Sequence, residues 1–439
     1  MWNSINQALN MIDNFVWGVP LMVLIIAGGL LLTIRLGLLQ IRKLPLALKW
    51  MLQNEEGGKG EISSFSALCT ALSATIGTGN IVGVATAVCA GGPGALFWMV
   101  VAAFLGMATK YSEGLLAVKY RTVAEDGHSL GGPFYYIELG MGKKFKWLAK
   151  IFAFFGVCVG LFGIGTFSQV NGISSAVHGF FDPNDAFTVK ILPFLGEYSW
   201  SVVIASLILS FCVAAVLIGG VKRIASVSQI IVPFMAVIYF VFAVILICCN
   251  ITKVPAAFAT IVTAAFSPKA ITGGAVGSML IAMQKGVARG IFSNEAGLGS
   301  APIAAAAAQT NSPVRQGLVS MTGTFIDTII ICTLTGLSIV LTGAWQIEGL
   351  EGVQVTTYAF QHGLPFPAQF SSFILMLCLV FFAFTTILGW DYYSERCLEY
   401  LSGGNMKHVK IFRWIYILAV FIGPYMTVSA VWTIADIFN

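Results

Sequence analysis

The sequence predicts an all-α polytopic membrane protein, and three features of its composition lead to that prediction. Of the 439 residues, 57% are hydrophobic, only 10% are charged and 47 are glycine. A soluble globular protein carries about 25% charged residues, so this chain has too few charges to coat a water-facing surface of its size. The net charge of +5 is small for the length and favours no polyanionic partner. The composition therefore excludes a soluble enzyme, a disordered tail protein and a nucleic-acid binder.

Ten apolar segments are long enough to cross the hydrocarbon core of a bilayer, which takes about 20 helical residues. The first lacks a basic leading region and is too long for the apolar part of a signal peptide, so we interpret it as a spanning helix. The predicted spans are 16–34, 64–89, 94–119, 147–178, 198–218, 224–249, 271–308, 313–342, 366–395 and 407–438.

Basic residues predict the orientation, because they fall in alternate loops and such loops lie in the cytoplasm. The opposite loops are acidic or poor in basic residues. The N-terminus is therefore predicted to lie outside the cell. The basic residues of the predicted cytoplasmic loops are Arg35, Arg42, Lys43, Lys49, Lys59, Lys119, Arg121, Lys143, Lys144, Lys146, Lys222, Arg223, Arg315, Arg396, Lys407, Lys410 and Arg413.

Two predicted spans are abnormal, and we expect both to be interrupted. The span 64–89 has Gly77, Gly79 and Gly83 at its middle, and each glycine in a helix interior costs about 1 kcal/mol. The span 271–308 is too long for one crossing and carries charges at membrane depth, so a break is predicted at about 289–297.

Each interrupted span begins a block of helices. The second interrupted span comes five spans after the first, and because five is an odd number the second block crosses the membrane in the inverted orientation. Paired glycine-interrupted segments in two halves of a chain indicate a transporter binding site. The competing explanation is that glycine lets helices pack closely. We prefer packing for the isolated pairs Gly28-Gly29 and Gly219-Gly220 and a binding site for the glycines beside Thr78 and Asn80.

Other site chemistries find little support. The nine cysteines lie in or beside apolar runs with no C-x-x-C pair, so we interpret them as core residues. The four histidines lack metal-ligand spacing. The sequence has no H-E-x-x-H, G-x-S-x-G or P-loop motif, so no enzymatic activity is predicted and no cofactor is expected. An ion channel is disfavoured because paired broken helices predict a closed central site.

Several motifs resemble those of one family. Residues 91–99 read Gly-Gly-Pro-Gly-Ala-Leu-Phe-Trp-Met, which closely resembles the signature of the alanine/glycine:cation symporters, although Val100 stands where tryptophan is usual. The similarity covers essentially the whole chain. Further matches are Gly-Thr-Gly-Asn at 77–80, Phe-Gly-Ile-Gly at 162–165 followed by Gln169, Gly-Val-Ala-Arg-Gly at 286–290 and Phe-Ser-Asn-Glu-Ala-Gly at 292–297.

The resemblance implies a sodium-coupled symporter of alanine or glycine that works by alternating access in a bacterial or archaeal cell membrane. It also implies the five-plus-five inverted-repeat fold of the bacterial leucine transporter. On that basis 1–62 forms an extra N-terminal helix and loop, 63–250 the first repeat and 251–439 the inverted second repeat. Family members continue into one more helix and a polar tail, so we expect the final core helix to be missing after Asn439 and the chain to be truncated.

The first break is predicted to bind the amino acid. Unwound backbone and the N-terminus of a half-helix offer N–H groups to a carboxylate, and the amides of Thr78 and Gly79, with Asn80, are placed for that role. Free carbonyls and half-helix C-termini suit the ammonium and sodium, and Ser293 and Asn294 in the second break are candidates there. Gln169 and, less strongly, Asn171 are candidates for hydrogen bonds from the side, although such amides also link neighbouring helices.

Sodium is the expected coupling ion, and it prefers oxygen ligands. Thr385 and Thr386 are adjacent in an apolar helix and supply uncharged hydroxyls, unless they bond back to their own helix. In the fold that the chain resembles, this helix faces the unwound one, so the carbonyls of Ser73 and Ile76 would complete the sodium site.

Trp390 lies one turn beyond Thr386 and is a candidate wall for a small side chain, with an interfacial aromatic belt as the alternative. The charges predicted at membrane depth have too many pairings to assign, although Glu295 with a nearby Arg or Lys is favoured. They are Lys110, Glu113, Lys285, Arg289, Glu295, Asp327 and Asp391. The alternative function is a proton-coupled or glutamine-preferring transporter of the same fold. Proton coupling predicts a titratable group where the two threonines stand.

Overall fold

The computed structural model describes residues 18–53, 55, 57–124, 127–190, 197–266, 275–426, 431 and 435. The described chain is mostly helical and includes two short antiparallel ribbons, each of two strands. The prediction of an all-α membrane architecture is confirmed at this level, since both ribbons lie in loops between long helices.

The first half of the described chain contains the first interrupted span and six further helices of at least 15 residues. The helices are α1 Val19–Arg35, α2 Leu39–Arg42, α3 Leu44–Leu52, α4 Ser64–Thr75, α5 Val84–Gly91, α6 Gly94–Lys119, α7 Pro133–Tyr136, α8 Lys146–Phe162, α9 Phe167–Phe181, α10 Trp200–Leu217 and α11 Gly220–Cys249. The strands are β1 Thr122–Val123, β2 Ser129–Leu130, β3 Thr188–Lys190 and β4 Glu197–Ser199.

The second half contains the second interrupted span and two helices that each carry part of the candidate site. The helices are α12 Val254–Phe266, α13 Ala275–Asn294, α14 Ala301–Ala305, α15 Pro313–Thr324, α16 Thr333–Thr342, α17 Val353–Gly363, α18 Ala368–Leu401 and α19 Met406–Ile422. Two π-helical turns precede helices named above. The turn Gly79–Gly83 joins the first break to α5, and the turn Phe325–Cys332 joins α15 to α16.

Six described helical segments are long and apolar enough to cross a membrane, and a seventh span is counted when the bent pair Ser64–Thr75 and Gly79–Gly91 is taken as one. The protein is therefore a multi-pass membrane protein. The ends of three other predicted spans, 16–34, 271–308 and 407–438, include residues outside the described part. The expected absence of a final core helix concerns the end of the chain, which also lies outside the described residues.

The predicted interruption of the first span is confirmed. Helix α4 ends at Thr75, Ile76 and Gly77 leave the helix, and the chain resumes at a bend of 51°. A side chain at Gly77 has no room, because a Cβ atom there would lie 2.4 Å from the Thr386 hydroxyl oxygen. Glycine is therefore required at the point where the helix opens.

The second interruption is also present, but its position differs from the prediction of 289–297. Helix α13 continues through Gly290 to Asn294, and the chain becomes helical again at Ala301. Gly290 is a packing residue rather than a breaker, since a Cβ there would lie 3.1 Å from the Met99 side chain. The break follows Asn294 because Glu295, Gly297 and Gly299 all take positive φ angles.

Two predicted spans are not single unbroken α-helices, although 143–181 remains one candidate membrane crossing. The span 147–178 is divided into α8 and α9, because the chain at Gly163–Thr166 leaves helical geometry. The span 407–438 ends as an α-helix at Ile422, where Gly423 and Pro424 form a tighter turn. Proline lacks the backbone N–H that an α-helix needs and clashes with the preceding turn.

Glycine also brings the helices of the two halves together. Helix α6 packs against α13 and α15, and a Cβ at Gly286 would lie 2.2 Å from the Ala95 carbonyl oxygen. A Cβ at Gly317 would lie 2.6 Å from the Tyr111 carbonyl oxygen. Close backbone approach through small residues is how helices associate in lipid, so much of the glycine excess serves packing.

Candidate functional site

The first break is held open by the side chain of Asn80. Its Oδ1 accepts a hydrogen bond from the Gly77 amide at 2.8 Å, which satisfies a backbone group left unpaired by the unwinding. Its Nδ2 donates to the Asp327 carboxylate at 2.7 Å. Asn80 is completely buried, so both bonds are shielded from water. The predicted site residue therefore links the unwound backbone to a charge on another helix.

Gln169 reaches the same break from α9. Its Oε1 accepts a hydrogen bond from the Thr78 amide at 2.9 Å, and its Nε2 donates to the Ile164 carbonyl at 2.8 Å. The predicted amide of Thr78 and the predicted side chain of Gln169 thus lie together, bound to each other. A charged carboxylate is a stronger acceptor than an amide oxygen, so a substrate carboxylate would compete with Gln169 for this N–H group.

Asp327 is a central residue whose role the sequence analysis did not assign. Its carboxylate accepts hydrogen bonds from Asn80, from the Ser293 hydroxyl at 2.8 Å and from the Thr328 hydroxyl at 2.7 Å. It is fully buried and stands in the π-helical turn Phe325–Cys332. One carboxylate thereby joins the two breaks. An acid in an otherwise apolar span was the available sequence signal.

Asn294 closes helix α13 beside this carboxylate. Its Oδ1 accepts from the Ala296 amide at 2.9 Å, and its Nδ2 donates to the Thr328 hydroxyl at 3.0 Å. Gly79 lies against the same segment, because a Cβ there would lie 3.1 Å from the Ser293 Cα. The structure therefore brings the predicted residues of both breaks into one cluster. Asn171 lies outside this cluster and donates to the Met426 carbonyl at 3.2 Å.

The proposed sodium ligands are only partly gathered. The Thr386 hydroxyl lies 3.2 Å from the Ile76 carbonyl oxygen, where α18 meets the end of α4, and 3.0 Å from the Phe382 carbonyl oxygen of its own helix. The Thr385 hydroxyl bonds to the Phe381 and Phe382 carbonyls of its own helix, as in the alternative explanation above. The Ser73 hydroxyl donates to Thr70. The Thr386 hydroxyl and the Ile76 carbonyl are two uncharged oxygens, the chemistry that a sodium ion requires.

Trp390 is buried on the same helix as the threonines. It makes an edge-to-face contact with Tyr393, with ring centroids 5.5 Å apart. Its indole N–H faces the Glu295 carboxylate without a hydrogen bond of ordinary length. Trp390 therefore stands beside the second break, and its predicted contact with a substrate side chain stays a prediction.

A cavity of about 650 Å³ leads to the first break from the side of the loop at 349–354. Val82 in the π-helical turn, Asn171 and Gly172 on α9, and Gly352 and Tyr358 line it. In the orientation predicted from the basic loops, this loop lies outside the cell. The route from that side therefore extends as far as the residues next to Asn80.

Arg121 ties together two segments that lead out of the breaks. Its guanidinium donates to four backbone carbonyls, those of Lys59, Ala306, Ala308 and Thr310, at 2.5–3.1 Å. The Ile62 carbonyl also accepts from the Gln309 amide at 2.8 Å. These bonds join the segment before α4 to the segment after α14. They therefore hold together the two segments of the chain that lead out of the breaks.

Comparison with known proteins gives a consistent result. The sequence pattern of the sodium:alanine symporter family matches residues 2–439. An uncharacterized transporter of Haemophilus influenzae is 55% identical over 437 residues, which cover 99% of this chain and 91% of that protein. The sodium/alanine symporter AgcS of Methanococcus maripaludis is 46% identical over 438 residues, covering 98% and 91%.

A solved structure shows the fold alone. MhsT in complex with L-phenylalanine superposes with a TM-score of 0.56, covering 87% of each chain at 13% sequence identity. At that identity the match supports the arrangement of helices and carries no residue roles.

Proposed function

The chain belongs to the sodium:alanine symporter family, a family of transporters, and from this premise we propose that it imports alanine or glycine together with sodium by alternating access. The observation that carries the proposal is the meeting of the two helix breaks at Asp327. A zwitterion and a sodium ion both need polar groups at membrane depth, and the breaks provide them without a continuous water channel.

The amino acid is proposed to lie between the breaks with its two charged ends oppositely directed. Its carboxylate takes the amides of Thr78 and Gly79, displacing the Gln169 side chain from Thr78, with Asn80 alongside. Its ammonium lies towards Ser293, Asn294 and the negative charge of Asp327. Support comes from the C-terminal end of α13, whose carbonyls favour a cation. Trp390 is proposed to limit the size of the side chain.

Sodium is proposed to bind where α18 meets α4. The hydroxyl of Thr386 and the carbonyl of Ile76 are the nearest pair, with Thr385 and the carbonyl of Ser73 as further ligands. A Thr385 hydroxyl would have to exchange its own helix carbonyls for the ion. Binding of sodium here stabilises the contact between α18 and the first break, which couples ion occupancy to the substrate site.

Alternating access is proposed to arise because one end of the site is open and the other end is closed. The cavity at 349–354 opens towards the predicted outside, and the four hydrogen bonds of Arg121 close the cytoplasmic side. Transport requires these hydrogen bonds to break while the cavity closes. The repeat boundaries at 63–250 and 251–439, and an N-terminus outside the cell, remain part of the proposal, with 1–62 as an additional element.

The test is uptake of labelled alanine by the full chain in proteoliposomes under an imposed sodium gradient. We expect accumulation that collapses when choline or potassium replaces sodium, and competition by unlabelled glycine. Uptake that persists without sodium would contradict the coupling. Stronger competition by glutamine than by alanine or glycine would instead favour the glutamine-preferring alternative. Uptake driven by a pH gradient alone would favour proton coupling.

A further inference from the structure

A second group of buried charges lies behind the second break and has no role in the sites above. Lys110 and Glu113 project from α6, and Glu295 begins the break after α13. Their exposed fractions are 2%, 8% and 0%. The positive charge of Lys110 acts on both carboxylates, yet its Nζ makes no hydrogen bond to any described residue. The three charges share one region without direct pairing.

Further polar atoms in this region also lack partners. One carboxylate oxygen of Glu113 and the hydroxyl of Tyr393 have none, while one oxygen of Glu295 and the indole N–H of Trp390 face each other beyond ordinary hydrogen-bond length. Trp390 faces Glu295, and the Tyr393 hydroxyl lies in the field of both glutamates. A buried polar group without a partner costs about 1–3 kcal/mol. Such groups on three separate segments indicate a site for a polar ligand.

The backbone holds Glu295 towards this region at a cost. Its φ angle is 56°, in the left-handed region that costs a non-glycine residue about 1–2 kcal/mol. One carboxylate oxygen accepts from the Ser300 hydroxyl at 2.6 Å and the other makes no hydrogen bond of ordinary length. Glu113 faces the backbone N–H groups of Gly297 and Gly299 in the same break. Both carboxylates are thus fixed at the break.

The charges of this region do not balance. Two carboxylates and one ammonium leave one excess negative charge, in side chains at most 8% exposed. Asp327 also acts on Glu295, but it is held by hydrogen bonds from Asn80, Ser293 and Thr328 and is counted with the substrate site, while Tyr136, beside Glu113, is neutral. An uncompensated buried charge is far too costly to persist. One more positive charge is needed.

We propose that Lys110, Glu113 and Glu295 form a site for one monovalent cation, separate from the sodium site at Thr386. The cation has two possible sources, a sodium ion held by carboxylate oxygens and the Tyr393 hydroxyl, or a proton on one of the two glutamates. In both forms the occupied site adds one positive charge to the protein.

The test is made on the purified full chain with two probes, equilibrium binding of ²²Na⁺ and infrared absorption of protonated carboxyl groups. Glu113→Gln removes the excess negative charge. If the cation is sodium, we expect one fewer ²²Na⁺ bound per chain. If it is a proton, we expect the loss of one protonated-carboxyl band with sodium binding unchanged. Glu295→Gln is expected to behave in the same way.

The double variant Lys110→Met with Glu113→Gln is the matched control, because it restores one excess negative charge. It is expected to recover the lost sodium ion or a protonated-carboxyl band, with folding checked by thermal unfolding. Thr386→Ala leaves this site intact, so failure of the sodium proposal at Thr386 is distinguishable. If folded Glu113→Gln and Glu295→Gln lose neither signal, or the double variant recovers neither, the site does not exist.

Discussion

Replacement of Asn80 by alanine removes the side chain that joins the first break to Asp327. The Gly77 amide loses its acceptor, and a buried unpaired donor costs about 1–3 kcal/mol. Asp327 loses a hydrogen bond at 2.7 Å, and such a bond to a charged group is worth about 1.5–3 kcal/mol. The binding conformation therefore loses at least about 2.5 kcal/mol, which corresponds to alanine affinity weaker by roughly 60-fold.

The assay is equilibrium binding of labelled alanine to the purified full chain in saturating sodium. Asn250→Ala is the matched control, because its amide donates to the Leu246 and Gly363 carbonyls far from the breaks. We expect the control to bind alanine with unchanged affinity. Unchanged affinity in folded Asn80→Ala would refute the reasoning and place the substrate site elsewhere.

Three further perturbations test other parts of the structure. Thr386→Ala removes an oxygen 3.2 Å from a backbone carbonyl and is expected to raise the half-saturating sodium concentration about tenfold. The assay is alanine uptake at a fixed alanine concentration, and an unchanged half-saturating sodium concentration would exclude Thr386 as a ligand. Gly77→Ala is expected to cost about 1–3 kcal/mol and to lower the thermal midpoint, whereas Gly28→Ala, inside a helix with nothing within 4 Å, does not lower it. Arg121→Ala is expected to speed hydrogen exchange at 306–310 about tenfold by freeing four carbonyls. The control is Arg223→Ala, because the Arg223 guanidinium bonds to a single carbonyl, and it is expected to leave exchange at 306–310 unchanged.

Much of the fold is readable from the sequence because it follows from local rules. Apolar length predicts most spans, and the glycines at 77–83 predict the first break, which the structure has at Ile76–Gly77. The second break is displaced because Gly290 packs against Met99 while Glu295 takes the left-handed conformation. Glycine composition alone does not separate close packing from unwinding, since both exploit the missing side chain.

The candidate site divides in the same way. The sequence points to Asn80, Gln169, Ser293 and Thr386 as polar residues at unusual depth, but not to their partners. Asp327 was one unassigned charge among several, although its carboxylate accepts from Asn80 across 247 positions of sequence. No local pattern encodes such a pairing, because it depends on how helices from the two halves pack.

The sequence by itself determined that the chain spans the membrane, where its helices are weakened and which polar residues lie at that depth. These properties depend on the solvent and on neighbouring residues, so composition and spacing contain them. Only the tertiary structure decided that both breaks meet at Asp327, that Arg121 ties the segment before α4 to the segment after α14 and that Lys110 lies near two buried glutamates. Those outcomes depend on distances between segments far apart in the chain, which packing alone fixes.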